Sequence, residues 1–151
     1  MLKRSLAGAM VASAVLCAVG SAHAAEPCGV VKLASGVARV ERGNQVIPVT
    51  VGLALEPNDR VVTNSASSVG ITLRDDTLIS VGPRSSLLIE NFKFNQTTHE
   101  GSLAIRVATG AMRMISGLIA RQSPGSLRVR TPNATIGIRG TDFIVEVPDN
   151  D

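Results

Sequence analysis

The chain has 151 residues, with 15 Lys plus Arg against 12 Asp plus Glu, three Phe, and no Trp or Tyr. That length suits one domain with a single core. The near balance of charge demands no polyanionic partner, and the missing Trp and Tyr remove the stacking platforms that single-stranded nucleic-acid and glycan binding normally use, so no nucleic acid is expected as partner.

Residues 1–24 read as a secretory signal peptide. Lys3 and Arg4 form a positive start, Leu6 to Val19 is apolar, and Ala22-His23-Ala24 is a small-x-small cleavage site. The apolar run is short of the about 20 residues that a membrane-crossing helix needs. Cys17 follows the bulky Leu16, where lipid-attachment sites want a small residue. The protein is therefore expected in the periplasm or outside the cell, with residues 25–151 forming a single β domain and no membrane span. Without the leader, 13 basic side chains face 12 acidic ones. Cys28 is then the only cysteine, so no internal disulfide forms; its place near the new N-terminus predicts a frayed, inert thiol, with intermolecular pairing as the alternative.

Strand and turn signals fill the rest. Gly36 to Glu41 alternates apolar and polar residues, Arg42-Gly43-Asn44 turns, and Gln45 to Val51 is a second strand that Pro48 assigns to an edge. Glu56-Pro57-Asn58-Asp59 is a turn and Arg60 to Thr63 a short strand. Val69 to Leu73 and Thr77 to Val81 flank Arg74-Asp75-Asp76 as a hairpin. Gly82-Pro83 turns the chain again. Ser86 to Phe92 is a strand whose Leu87-Leu88-Ile89 run predicts burial on both faces, and Lys93 to Glu100 is a surface loop. Gly-Ser-Leu-Ala-Ile-Arg-Val at 101–107 resembles Gly-Ser-Leu-Arg-Val-Arg-Thr at 125–131, an offset of 24 residues. Met112 to Arg121 is either a strand bending at Gly117 or a short helical turn. No stretch sustains a 3.6-residue period, so the expected fold is all-β: a small β-solenoid or a two-sheet sandwich of about ten to twelve short strands with an aliphatic core.

Catalytic constellations are missing. His99 is the only histidine left after the leader, in a polar loop and far in sequence from Cys28, so neither a Ser–His–Asp nor a Cys–His site assembles readily. Zinc-type ligand spacing is absent, and Asp75-Asp76 reads as turn chemistry without further acids at calcium spacing. Gly137-Ile138-Arg139-Gly140 lacks the Lys-Ser/Thr of a phosphate loop. No enzyme, cofactor or metal is expected. Arg106, Arg113, Arg121, Arg128 and Arg130 recur singly along strands, as side chains lining one face would.

The most distinctive stretch is Thr131 to Phe143, TPNATIGIRGTDF. Thr131-Pro132 leaves a strand. Ala134, Ile136 and Ile138 alternate with Thr135 and Gly137, and Gly137 permits a bulge or a close backbone approach. Arg139 is expected to tie a corner, by pairing with Asp142 or by clamping neighbouring carbonyls, rather than to bind a partner directly.

This string resembles the signature of the FecR-type domain. Gly36-Val37, Val51-Gly52 with Leu55, Asp59 to Thr63, Ser67 to Val69, Asp76-Thr77, Ser85, Gly110 to Arg113 and Ser116-Gly117 extend the likeness over about Val31 to Val147. The resemblance implies a β-rich periplasmic domain without catalytic activity, and marks Thr131, Pro132, Ala134, Ile136, Gly137, Arg139, Gly140 and Thr141 as its interaction or structural motif. Signalling members place the domain after a transmembrane helix and a cytoplasmic anti-sigma segment, and relay the state of an outer-membrane siderophore transporter to a sigma factor. Neither segment is expected of this chain, which looks like the stand-alone secreted version. Members often continue with further strands past the position of Val147, so the chain is either a piece of a longer domain or ends on an exposed strand edge. The expected role is a protein-interaction or signal-sensing module with another envelope protein as partner; the alternative is a structural envelope component that self-associates through stacked strands.

Overall fold

A computed structural model describes residues 25–149; the signal peptide expected at 1–24 lies outside the described residues. In chain order the strands are β1 (Gly29–Ser35), β2 (Ala38–Arg42), β3 (Gln45–Pro48), β4 (Ala54–Leu55), β5 (Arg60–Thr63), β6 (Ser68–Leu73), β7 (Leu78–Val81), β8 (Ser86–Phe94) and β9 (Gly101–Ile115). A five-residue helix α1 (Leu118–Gln122) precedes β10 (Leu127–Thr131), β11 (Ala134–Gly137) and β12 (Asp142–Val147). The all-β expectation holds, with twelve strands.

One long strand organises them. The first part of β9 pairs with β8 on one side and β10 on the other; its last six residues pair with β7 and β12. One half of the sheet therefore runs β3–β2–β5–β8–β9–β10–β11 and the other β4–β1–β6–β7–β9–β12. The two halves share a single aliphatic core, to which the first contributes Val40, Val61, Ile89 and Ile105 and the second Val31, Ile71, Ile79 and Met114. The sandwich is the better description of the two expected architectures.

The crossing is visible in burial. Leu103, Ile105 and Val107 point inward, then Met112 and Met114. An odd step of five residues flips the alternation, so the inward side of the strand changes between the two halves. Gly110 sits inside that step with φ +87°, a conformation that L-residues rarely adopt.

The near-repeat has a structural meaning. Parallel β9 and β10 pair Leu103 with Leu127 and Ile105 with Val129, so the 24-residue offset is the register itself. Equivalent apolar side chains stack as they would in one coil of a solenoid.

Met112 to Arg121 satisfies both of its alternatives. The strand runs through Ile115, the chain bends at Ser116-Gly117, and a helical turn follows. The turn between β6 and β7 caps that helix from outside. The Leu118 amide donates to the Asp75 carbonyl at 2.8 Å, the Ile119 amide to Asp75 Oδ2 at 3.4 Å, and the Gly117 amide to Thr77 Oγ1 at 3.1 Å. This supplies partners for orphan N–H groups that the chain's own cap does not satisfy.

Three local expectations are corrected. Leu88 is only half-buried: it faces outward while Leu87 and Ile89 enter the core. β8 continues to Phe94, two residues into the segment expected as loop. Cys28 is not frayed; it is fully buried and its amide donates to the Leu55 carbonyl at 2.7 Å. Pro48 lies in β3, at the end of its half-sheet, as its missing donor demands.

Candidate functional site

The distinctive stretch begins as a hairpin. Thr131 closes β10, Pro132-Asn133 makes the turn, and Ala134 opens β11. Thr131 Oγ1 accepts from the Ala134 amide at 3.1 Å. Pairing runs without a register shift from Thr131↔Ala134 to Arg128↔Gly137, so no bulge forms at Gly137. Nothing lies within 4 Å of where a Cβ would stand at Gly137 or Gly140, so no close backbone approach explains either glycine.

β11 is exposed at every position and pairs on one side only. The Ile138 amide donates to the Leu127 carbonyl at 3.1 Å. By the alternation of an antiparallel ladder, the backbone groups of Ala134 and Ile136 also face β10, and those of Thr135 and Gly137 point outward from a free edge. Ile136 keeps 37% of its surface exposed.

Arg139 does not tie the corner. Asp142 is held instead by Arg113, in a two-pronged pair with Nε–Oδ1 at 3.0 Å and Nη2–Oδ2 at 2.6 Å. Antiparallel pairing of β12 with β9 opposes Ile144 to Arg113, which brings Asp142 diagonally beside the guanidinium. The pair holds the Asp142 carboxyl below its ordinary range and raises Arg113. The corner is tied by Ser116, whose amide donates to the Thr141 carbonyl at 2.9 Å and whose hydroxyl donates to the Gly140 carbonyl at 2.7 Å. Arg139 is exposed and enters no hydrogen bond or ion pair among the described residues.

The recurring arginines separate. Arg106, Arg128 and Arg130 share the outer face of the β8–β9–β10 region; Arg113 lies in the other half of the sheet and Arg121 in α1. Arg60 joins the first group through the register row Glu41↔Arg60↔Leu88↔Arg106↔Arg130↔Thr135. Sequence inspection missed Arg60 because only cross-strand pairing puts it there. Arg60, Arg106 and Arg130 open with Thr131, Pro132 and Thr135 onto a cleft of about 480 Å³ beside the hairpin. Glu90 reaches Arg106 at 2.7 Å and Arg130 at 3.7 Å, while Glu41 reaches Arg39 at 3.1 Å and Arg60 at 3.8 Å. Two carboxylates thus serve four guanidiniums, and Arg128 has no ion-pair partner among the described residues.

The remaining reactive groups are dispersed. His99 stacks on Phe94 with ring centroids 6.2 Å apart. The Cys28 thiol is pushed up to about 12 by burial, with the Asp59 charge adding to it. Asp75 is buried, and its carboxylate accepts from Thr77 Oγ1 at 2.7 Å and the Thr77 amide at 3.2 Å. Among the described residues no three His, Cys, Asp or Glu side chains cluster as metal ligands would.

An all-β domain with one continuous curled sheet, a buried scaffold and an open basic edge is thereby defined. Its family follows from comparison: the model described as FecR protein matches residues 59–151, and the chain belongs to that family. The match begins at Asp59, so Gly36-Val37 and Val51-Gly52 lie ahead of the matched range. No curated protein and no solved structure matches the chain. Membership suggests a signalling-related domain of the cell envelope. No helix among the described residues is long and apolar enough to cross a membrane.

Proposed function

We propose that this protein is a non-enzymatic, periplasmic interaction or signal-sensing module that receives a strand of another envelope protein along β11. The observation that carries the reading is the free edge of β11: its four residues are all exposed, and the Thr135 and Gly137 backbone groups point away from β10. An added strand satisfies such an edge through main-chain hydrogen bonds and takes its specificity from alternate side chains. The non-enzymatic reading draws support from the full burial of the Cys28 thiol and from the stacking of His99 on Phe94, which hold these two side chains in structural roles.

Thr135→Pro tests the edge directly. Proline removes an outward N–H that β10 does not use, so the hairpin is expected to persist while strand addition fails. Cross-linking in envelope extract should capture a stoichiometric heterologous partner with the native protein and lose it with Thr135→Pro at unchanged melting temperature. Equal capture by both proteins refutes the β11 edge as the contact.

A second reading, self-assembly through stacked strands, is favoured by β12. This strand also pairs on one side only, and its Ile144 is 63% exposed. Sedimentation velocity separates the two readings: concentration-dependent association without a heterologous partner supports self-assembly.

A further inference from the structure

The chemistry of the incoming strand can be read from the two sides of β11. The outer face next to it is basic. Arg130 lies opposite Thr135, and Arg128 opposite Gly137. Side chains of a strand added beyond β11 stand about 10 Å from β10, two inter-strand spacings away. Thr135 is small and Gly137 has open space above it. Acidic side chains on the added strand can therefore pass over β11 and meet Arg130 and Arg128, whose own long stems cover much of the gap. Arg106 and Arg60 continue the positive row behind them, and Glu90 and Glu41 neutralise only part of it, leaving Arg128 without an ion-pair partner among the described residues. The opposite face of β11 is apolar: Ile136 lies opposite buried Val129 and stays partly exposed.

We propose that the partner strand alternates acidic and apolar residues, with carboxylates two positions apart engaging Arg128 and Arg130, and apolar side chains extending the core past Ile136. This rests on the edge-addition reading and names its partner class. Guanidinium forks suit carboxylates, and an under-neutralised basic row favours an acidic segment before contact as well as after it.

The test uses a fluorescein-labelled octapeptide alternating Val and Glu, with a Val–Gln counterpart, titrated against the full chain by anisotropy. The Val–Glu peptide is expected to bind saturably and more weakly as salt rises past 0.1 M, where the screening length is about 10 Å. Arg128→Gln and Arg130→Gln should each weaken it about fivefold or more, the effect of losing about 1 kcal/mol per contact, and Thr135→Pro should abolish it. Equal binding of both peptides, unchanged in the arginine variants but lost in Thr135→Pro, overturns the acidic partner and leaves edge addition standing. Binding of Val–Glu that survives Thr135→Pro reveals unspecific charge attraction and overturns the proposal too. So does the absence of any binding, in which case the cross-linking experiment decides edge addition by itself.

Discussion

Replacing Gly110 with alanine should destabilise the protein by about 3–8 kcal/mol, a large part of the 5–15 kcal/mol that a domain of this size has. Three costs combine. The backbone there has φ +87°, which disfavours an L-residue by about 1–2 kcal/mol. The new Cβ would also stand 2.0 Å from Ser85 Oγ, 2.5 Å from its Cα and 2.6 Å from its Cβ. Rotating the hydroxyl cannot relieve this, because two of the three atoms belong to the root of Ser85. The start of β8 must move away from β9, at about 1–3 kcal/mol for an overpacked site. That motion pulls Ser85 Oγ from the Ala111 amide, now 3.0 Å away, and the Ser85 amide from Thr63 Oγ1, also at 3.0 Å; a buried donor left unpaired costs a further ~1–3 kcal/mol. Gly43→Ala is the control: φ is +57° but nothing lies within 4 Å of the new Cβ, so only the backbone term of about 1–2 kcal/mol applies. Urea unfolding measures both. With a slope of about 1–3 kcal/mol/M the Gly110→Ala midpoint should fall by roughly 2 M and the Gly43→Ala midpoint by about 0.5 M. Equal midpoint shifts would refute the idea that the crossing between half-sheets depends on Gly110.

Arg139→Ala should leave the melting temperature unchanged within error, since Arg139 is exposed and enters no hydrogen bond or ion pair among the described residues; a drop of several degrees in calorimetry would restore the corner-tie role. The Asp142 carboxyl is depressed by Arg113, so this pair stabilises above the ordinary carboxylate range near pH 4 and the benefit is lost as pH falls through the folded value. The stability difference between native protein and Asp142→Asn should therefore be largest near neutrality and vanish in acid, as denaturant curves at several pH values would reveal. The Cys28 thiol is raised from 9.0 to about 12, so the folded protein keeps its proton while the unfolded chain loses it. Stability should be intact below pH 9 and fall from pH 9 toward 12, a slope that Cys28→Ala removes; a thiol reagent should label Cys28 at the global unfolding rate, and fast labelling at pH 8 would contradict its burial.

Legibility divided along a physical line. What depends on neighbours in sequence was readable. Arg60 to Thr63 is a strand with the expected bounds, the 74–76 turn joins the expected hairpin, and Pro48 occupies an edge. What depends on register was not. Asp142 pairs across 29 residues with Arg113 rather than across three with Arg139, because β12 lies antiparallel beside β9. Cys28 looked terminal but is locked by Leu55 and, through its own carbonyl, by the Arg74 amide at 2.9 Å. In sequence β9 shows only as the separate pieces 101–107 and 112–121, since the alternation that identifies a strand reverses at Gly110. The 24-residue near-repeat was seen without its cause, a parallel pairing that no local pattern announces.

The residues that carry the family likeness therefore fall into two physical kinds. Asp59, Thr63, Ser67, Thr77, Ser85 and Ser116 are buried polar groups, each hydrogen-bonded to hold two chain segments together: Asp59 grips Arg42 at 2.7 Å and 2.8 Å, and Thr63 Oγ1 donates to the Gly82 carbonyl at 2.6 Å. Their loss leaves a buried group unpaired and acts on stability. Arg139 enters no hydrogen bond or ion pair among the described residues, Gly140 is held only through its backbone carbonyl, which accepts from Ser116 Oγ at 2.7 Å, and fold physics gives no reason for glycine at 137, where a strand-forming side chain would fit. Gly137→Val is accordingly expected to preserve or slightly raise the unfolding midpoint, because valine narrows the unfolded ensemble and favours extended backbone. If the residue serves recognition, the same substitution puts a branched side chain over the path from the added strand to Arg128, and partner capture should fall while stability does not. A stability lowered by more than about 1 kcal/mol would instead mark Gly137 as a fold requirement, and the recognition argument for this hairpin would then rest on Thr135 alone.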